Sequence, residues 1–430
     1  MGVGDEVTER AKRAFAARAM MIALGVLLAP IPAARAQLLL PAKCTVAGNI
    51  SLDDRIAGCT ALIEAMSTNL QGAISAHFRR AALYLDKGDV DRAIEDYSYV
   101  IEHDPNNLIA LLRRAWAHKR KGEVDTALAD YGRAIELAPK DTYAYLGRAG
   151  AYLIKQDVDS AIDDYGRALL THPDNVAAYV GRGRAYNLKG EPDRAIADCN
   201  RAIEISPERG AGVGLICRGH AHIIKGDIEL ALDDFNQAIG FSPKNPLPYV
   251  GRASILRARG DLELGLSNIK QAIELTPNDP QLHRWAGSAY FQGGLLSEAH
   301  DAFVRASELD RKDVYTLLWL DLVRQKTGQP SGLDEASGRL DLSNWPAPIV
   351  RLFLGATTLE DVVKAADDAN PVKMKGQLCE AHFYAGELAL AKGATDEAVR
   401  LLRLAADGCP KIYFEWAPAN AELRKLDTRH

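Results

Sequence analysis

Small and aromatic side chains recur along this chain with a period close to 34 residues, and a proline ends each period. An alanine usually lies 12 residues before the proline and an aromatic residue usually lies 8 before it, as Ala161 and Tyr165 do before Pro173. A small residue lets two helices approach closely, and an aromatic ring fills the space between neighbouring hairpins. The period therefore predicts a stack of helix-turn-helix units. The prolines that mark it are Pro105, Pro139, Pro173, Pro207, Pro243 and Pro277.

Each period contains two apolar stretches of helical length, separated by a turn that usually holds glycine, such as Gly122 or Gly190. Glycine suits the left-handed conformation that ends a helix, and proline cannot continue one. Each hairpin buries its apolar face only against its neighbours, so one elongated domain can include most of the chain. We therefore predict an all-α fold, a right-handed superhelical solenoid with a less regular helical C-terminal region. Full repeats are expected to start near Ile74, Leu108, Thr142, Val176, Gly212, Pro246 and Pro280.

The sequence divides into five predicted segments. They are a signal peptide (1–36), an N-terminal capping segment (37–73), a solenoid of about seven full repeats plus a helix (74–327), an irregular helical insert (328–375) and a degenerate repeat-like hairpin with the C-terminal tail (376–430). The insert contains WPAPIVRLFLG, from Trp345 to Gly355, which is too apolar to stay in contact with water. We expect the insert to pack and not to form a free linker.

The repeat YLGRAGAYLIKQDVDSAIDDYGRALLTHP, from Tyr145 to Pro173, resembles the bacterial tetratricopeptide repeat (TPR) family. The stretch CEAHFYAGELALAKGATDEAVRLLRLAADGCP, from Cys379 to Pro410, is similar to the tail of exported TPR proteins related to lipoprotein NlpI. Those relatives are cell-envelope adaptors that bridge a periplasmic protease and peptidoglycan hydrolases. The resemblance implies a scaffold that binds other proteins. The relatives carry a lipid on the first mature cysteine. Here Lys43 directly precedes Cys44, so we expect no lipid anchor.

The first residues have the pattern of an export signal. Arg10, Lys12, Arg13 and Arg18 precede an apolar core at 19–29, and Ala34-Arg35-Ala36 offers a small-x-small cleavage site. The core is only about half the roughly 20 residues that a membrane-spanning helix needs. We expect cleavage near Ala36, a periplasmic or secreted mature protein and no stable membrane insertion. An uncleaved anchor is the alternative.

Export would bring the six cysteines into an oxidising compartment, where disulfides persist. Cys44 and Cys59 lie close together near the predicted mature N-terminus, and Cys379 and Cys409 bracket a helical hairpin. We expect a disulfide within each of these two pairs, although connectivity does not follow from sequence. Cys199 takes the place of a packing aromatic and Cys217 lies on the next first helix. Two buried thiols are expected there, with a bridge as the alternative.

Two charged columns follow the same period. Arginine occupies positions 80, 114, 148, 182, 218 and 252, and aspartate occupies 96, 130, 164, 198 and 234. Because a guanidinium group can meet a carboxylate through two parallel bonds, these columns predict a ladder of structural ion pairs. Each arginine could pair within its own repeat or with the preceding aspartate, and both schemes match equally well. The net charge is 52 − 57 = −5, and no run of basic residues indicates nucleic-acid binding.

In a TPR solenoid the first helices line a concave groove, so their outward positions are the candidate binding residues. The mixture of aromatic, arginine and aliphatic side chains there resembles the core of a protein interface. The alternative is that these residues only pack helix on helix. The lysine and asparagine pattern of the carboxylate clamp is absent, with Phe78 and Ala82 at its leading positions. The candidates are Trp116, Lys119, Tyr143, Arg184, Asn187, His220 and Arg257.

Motifs of catalysis are absent from the sequence: there is no GxxxxGK[ST], HExxH, GxSxG or EF-hand loop. His222 falls in a core column, and Cys379 with His382 is better explained by a bridge to Cys409. We expect no enzyme activity, no cofactor and no metal. The leading hypothesis is a scaffold of the bacterial cell envelope that binds a protein or peptide, with a protease or a cell-wall enzyme as candidate partner. The alternatives are a hydrolytic or metal site in the C-terminal region, and self-assembly as a homodimer.

Overall fold

The computed structural model describes residues 43–44, 50–66, 68–207, 211–340, 342–368, 371–409 and 415–427. Within these ranges the chain forms 22 helices and no strand, which confirms the predicted all-α class. The chain divides into two compact units, one ending at Ala151 and the other beginning at Tyr152. The predicted signal peptide, 1–36, lies outside the described residues. Of the described helices, none combines the length and the apolar character that crossing a membrane requires.

The first unit consists of helical hairpins stacked in sequence order. We call the first helix of each hairpin an A helix and the second a B helix. Helix α1, in the predicted capping segment, packs against α2 as a preceding B helix would. The helices are α1 (Leu52–Ala65), α2 (Leu70–Lys87), α3 (Val90–His103), α4 (Leu108–Lys121), α5 (Val124–Leu137) and α6 (Thr142–Ile154), of which α6 ends beyond the division between the units.

The second unit continues the alternation and ends in less regular helices. Its repeats contain α7 (Val158–Thr171), α8 (Val176–Lys189), α9 (Pro192–Ile205), α10 (Ala211–Lys225), α11 (Ile228–Phe241), α12 (Leu247–Arg259), α13 (Leu262–Leu275), α14 (Pro280–Gln292) and α15 (Leu296–Leu309). They are followed by α16 (Val314–Lys326), α17 (Leu333–Ser337), α18 (Ala347–Phe353), α19 (Leu359–Ala365), α20 (Pro371–Ala391), α21 (Thr395–Gly408) and α22 (Trp416–Asp427).

Aromatic residues of B helices pack against glycines of the following A helix. In the first unit a Cβ atom at Gly147 would overlap the ring of Tyr131. In the second unit a Cβ at Gly181 would overlap Tyr165, and one at Gly251 would overlap Phe235. The missing side chain is therefore what lets each ring enter the junction between repeats.

One junction of the second unit replaces the ring and the glycine with two cysteines. Cys199 occupies the aromatic position on α9 and Cys217 the glycine position on α10, and the two are disulfide-bonded with their Cα atoms 5.9 Å apart. The expectation of two buried thiols is therefore wrong. The disulfide occupies the space that an aromatic ring and a glycine share at the other junctions. Cys44 is bonded to Cys59, and Cys379 is bonded to Cys409, which is the pairing that the sequence favoured.

The arginine and aspartate columns pair within repeats, which decides the question that the sequence left open. Arg114 on α4 donates from Nε and Nη2 to the two carboxylate oxygens of Asp130 on α5, at 2.8 and 2.7 Å. Arg182 makes the same two bonds to Asp198, at 2.7 and 2.8 Å. Equivalent pairs join Arg80 to Asp96 and Arg218 to Asp234.

The third guanidinium nitrogen reaches the preceding B helix. Nη1 of Arg114 donates to Ser98 Oγ at 3.1 Å, and Nη1 of Arg218 donates to Asn200 Oδ1 at 2.7 Å. Each of these arginines therefore connects three consecutive helices. At Arg252 the aspartate is replaced by Asn268, whose Oδ1 accepts from Nε at 2.7 Å.

The irregular C-terminal helices share one hydrophobic core. Trp319 of α16 is fully buried, with the ring of Phe303 stacked at 5.7 Å and the ring of Phe383 at 5.3 Å between centroids. Leu333, Ile349, Val350 and Val362, from α17, α18 and α19, belong to the same core. The 328–375 insert is therefore packed against the repeats of the second unit, as its apolar sequence predicts.

The aromatic-glycine packing can be tested with a pair of glycine substitutions. Gly181→Ala should lower the free energy of unfolding by about 1–3 kcal/mol, since the new methyl group must displace the Tyr165 ring. Gly166→Ala is the control. It lies inside α7 with its nearest neighbour 3.9 Å away, and should be stabilising by about 0.5–1 kcal/mol. Urea denaturation measures both, and equal effects would contradict this account.

The ladder predicts that breaking a partly buried ion pair lowers the free energy of unfolding more than breaking an exposed one. Asp130→Ala leaves the guanidinium of Arg114 partly buried without its carboxylate, and should cost about 3 kcal/mol of unfolding free energy. Glu136→Ala removes an exposed pair with Arg133 on the same helix and should cost no more than about 1 kcal/mol. Urea denaturation of both variants is the measurement, and a loss below about 1 kcal/mol for Asp130→Ala would show that the ladder is dispensable.

Candidate functional site

Large apolar side chains are exposed at equivalent positions of successive A helices. In the first unit these are Ile109 on α4 and Tyr143 on α6, and Tyr143 is 75% exposed. In the second unit they are Val213 on α10 and Leu247 on α12, which is 53% exposed. Ile109 and Tyr143, like Val213 and Leu247, are one period of 34 residues apart. We call the exposed side chains of the A helices in each unit its A-helix surface.

The A-helix surface of the first unit also contains Trp116 and two cations. Trp116 is 38% exposed, and the guanidinium carbon of Arg120 lies 4.8 Å from the centre of its ring. Lys119 is half-buried beside Gly150, and burial lowers the pKa of its ammonium group. Trp116, Lys119 and Tyr143, three of the predicted binding residues, are thus on A helices, and Ile109 and Arg120 are on the same helices.

In the second unit burial and the charge of exposed Arg184 both lower the pKa of half-buried His220. His220 packs edge-on against Phe235 at 5.3 Å between ring centres. Burial and, to a smaller extent, the positive charge of Arg184 lower the pKa of His220 to about 4. His220 is therefore neutral at pH 7, and Arg184 supplies the charge of this part of the A-helix surface.

Two predicted binding residues, Asn187 and Arg257, lie inside the protein. Asn187 donates from Nδ2 to the carbonyl of Cys217 at 3.2 Å, which links α8 to α10. Arg257 donates to Gln292 Oε1 at 2.8 Å and to Ser288 Oγ at 2.9 Å, and burial lowers its pKa to about 10. Both hold successive A helices together, so we leave them out of the A-helix surface.

The C-terminal helix covers the last part of the A-helix surface of the second unit. Helix α22 packs against α21 and against α14, where Phe291 is fully buried. Lys326 of α16 lies 3.9 Å from the carboxylate of Glu422 on α22. The surface that remains open in this unit therefore belongs to α8, α10 and α12.

A cavity of about 280 Å³ lies where α16 and α20 end beside α22. Lys326, Glu422 and Lys425 line it. Each of these charges is already paired, since Lys326 Nζ lies 2.9 Å from the carboxylate of Glu387 and Lys425 Nζ lies 2.9 Å from that of Glu422. Because each charged side chain of the lining has an ion-pair partner, the cavity indicates no particular ligand.

Several carboxyl groups are buried in the C-terminal core, where the enzymatic alternative would place its residues. Glu380 accepts from the Tyr315 hydroxyl at 2.9 Å and from Trp345 Nε1 at 2.6 Å, and burial raises its pKa to about 7. Burial and then the charge of Glu380 raise the pKa of Glu415 as well. These bonds tie the insert to α16 and α20. Over the described ranges, no group of three metal-ligating side chains is found.

Comparison with known proteins agrees with the repeat pattern. One family model, described as tetratricopeptide repeat, matches residues 78–142, 112–171, 146–209 and 250–313. A second model with the same description matches residues 218–245. Together these ranges include about half of the chain. The chain belongs to the tetratricopeptide repeat family.

A curated relative is the lipoprotein NlpI homolog of Haemophilus influenzae. It is 30% identical over 146 residues, which are 33% of this chain and 46% of that protein, so the match spans about half of the relative's length. A crystal structure of a TPR protein from Parabacteroides merdae is similar in fold, with a TM-score of 0.50 and 19% identity over 58% of this chain and 98% of that one. A thermophilic TPR protein of Thermus thermophilus matches with a TM-score of 0.40 and 22% identity, over 43% of this chain and 99% of that one.

The buried carboxyl group of Glu380 predicts a pH dependence of stability. Its pKa rises from 4.5 to about 7 on folding, so its contribution is complete below about pH 4.5 and is lost as the pH rises through 7. The melting temperature should therefore fall between about pH 5 and pH 8. In Glu380→Gln the fall should be smaller, because the amide stays neutral and still accepts hydrogen bonds.

Thermal denaturation across this pH range is the measurement. Glu298→Gln, at an exposed position of α15, is the control and should keep the wild-type slope. If Glu380→Gln kept that slope too, the carboxyl group would not be the source of the effect.

Proposed function

We propose that this protein is a non-catalytic adaptor of the bacterial cell envelope that binds a protein partner on its A-helix surfaces. The observation that carries the proposal is the exposed apolar row, with Ile109 and Tyr143 in the first unit and Val213 and Leu247 in the second. Exposed apolar side chains at one position of successive repeats favour a surface that a partner covers. Tyr143, Trp116 and Arg184 are of the residue types that anchor protein interfaces.

Rigid helices make such a surface effective. Neighbouring helices and the arginine ladder fix the backbone of each A helix, so little conformational freedom remains to be lost when a partner binds. Covering an exposed tyrosine or leucine contributes on the order of 1.5–3 kcal/mol for each side chain. Binding and release then need no bond-making chemistry.

The envelope location is supported by two features of the chain and by one relative. The first 36 residues have the composition of an export signal. All six cysteines are paired, which fits an oxidising compartment. The name of the Haemophilus influenzae relative describes that protein as a lipoprotein. A protease or a cell-wall enzyme of the envelope is the partner that we propose.

Capture of partners from a periplasmic extract tests the proposal. The full-length protein is expressed with a C-terminal tag, and its crosslinked partners are identified by mass spectrometry. Trp116→Ser and Tyr143→Ser should each reduce recovery of the specific partner by about tenfold or more, because each removes an anchor. Leu170→Ser is the control, since Leu170 is 84% exposed but lies on the B helix α7.

The control variant should recover the partner as well as the wild type does, and an immunoblot should find the protein in the periplasmic fraction. Equal recovery by all four proteins, or no specific partner at all, would reject the adaptor function. Recovery only from the cytoplasmic fraction would reject the location.

A further inference from the structure

The A helices from α4 to α14 are free of acidic residues, whereas α2 contains Asp86. None of the six successive A helices α4, α6, α8, α10, α12 and α14 contains an aspartate or a glutamate. Each of them contains at least one lysine or arginine. Since the chain as a whole carries a net charge of −5, this distribution is a local property of one set of helices.

The acidic residues lie on the B helices instead. Each of α5, α7, α9, α11, α13 and α15 contains at least two aspartates or glutamates. In each of these six hairpins the two helices thus differ in the sign of the charge that they contribute. An approaching anion is repelled by the B helices and is not repelled by the A helices.

Part of the positive charge on the A helices is neutralised by the fold. The ladder arginines, such as Arg182, are paired with aspartates of their own hairpin. Lysines at the ends of A helices pair with the preceding B helix, as Lys121 does with Asp91 and Lys189 with Asp159. These cations are satisfied and add little to the binding of a partner.

Other cations on the A-helix surfaces have no carboxylate partner among the described residues. In the first unit they include Lys119 and Arg120, of which Arg120 lies over the exposed ring of Trp116. In the second unit Arg184 is exposed and makes no ion pair with any described residue. On both surfaces, unpaired positive charge occurs on the same set of helices as the apolar row described above, which contains Ile109, Tyr143, Val213 and Leu247.

We propose that the A-helix surface binds an acidic polypeptide segment that also presents apolar side chains, an inference that rests on the proposed adaptor function. Carboxylates of the segment would pair with Arg184, or with Lys119 and Arg120, through charge-assisted hydrogen bonds. Its apolar side chains would cover Leu247 or Tyr143. The apolar row favours a polypeptide over a phosphate polymer, because such a polymer has no apolar groups to cover it. Complementary charge would also steer the segment to this surface.

Fluorescence anisotropy with short fluorescein-labelled peptides tests the proposal on the full-length protein. The first peptide contains glutamate and leucine, the second has lysine in place of glutamate, and the third has serine in place of leucine. Inorganic polyphosphate serves as an unlabelled competitor. The glutamate-leucine peptide should bind, the lysine peptide should not, and the serine peptide should bind about tenfold more weakly.

A matched pair of charge reversals locates the site. Arg184→Glu on α8 should weaken binding of the glutamate-leucine peptide by at least about tenfold, because like charges then face each other. Arg167→Glu on α7 makes the same change of net charge at an exposed B-helix position without an ion pair, and should leave binding unchanged. Circular dichroism melting curves verify that both variants fold, and Arg184→Gln replaces Arg184→Glu if that variant does not.

Four results would overturn the inference: no binding of the glutamate-leucine peptide, equal binding of the lysine peptide, equal effects of the two reversals, or displacement by polyphosphate with no dependence on leucine. The capture experiment separates this inference from the proposed function. Suppose that capture of the partner depends on Tyr143 but not on Arg184→Glu, and that peptide binding does not depend on charge. The adaptor function is then supported and the acidic segment is rejected. Failure of both experiments removes both.

Discussion

Partly buried guanidinium groups fix how consecutive helices of this protein meet. Four ladder arginines, Arg80, Arg114, Arg182 and Arg218, each bind an aspartate 16 residues later. Arg114 and Arg218 also reach the preceding B helix. A partly buried cation is stable only while its partners are present. The helices that supply those partners must therefore keep their positions relative to the arginine. Trp116, Arg184 and His220 each follow a ladder arginine by two residues. The ladder therefore also orients the side chains that we assign to binding.

Much of the fold could be predicted because the same residue types recur at the same positions in successive repeats. The period of proline, alanine and aromatic residues specifies helical hairpins, and from Leu108 onward the A helices begin within about two residues of the expected starts. The pairing scheme of the ladder could not be predicted, since both schemes obey the same period. The bond between Cys199 and Cys217 was only the second expectation for a related reason: a single exception to a column does not reveal what replaces it.

The candidate site was less predictable than the fold, because exposure depends on neighbouring repeats. Asn187 and Arg257 occupy groove positions in the sequence, yet each reaches the next A helix and becomes buried there. Helix α22 hides another part of the surface, and no local pattern predicts where a tail folds back. Ile109 and Arg120 were overlooked, although the period that placed Tyr143 and Trp116 could have found Ile109.

The bond between Cys199 and Cys217 has a consequence for how the second unit loses its structure. In a linear array each hairpin is held mainly by its neighbours, so disorder starts at an end and spreads inward. A covalent connection between adjacent hairpins stops that spread at one boundary. With the connection intact, the hairpins on either side must melt as a single block. After reduction the same array can fray one hairpin at a time, so its resistance to proteases depends on the redox state of its surroundings.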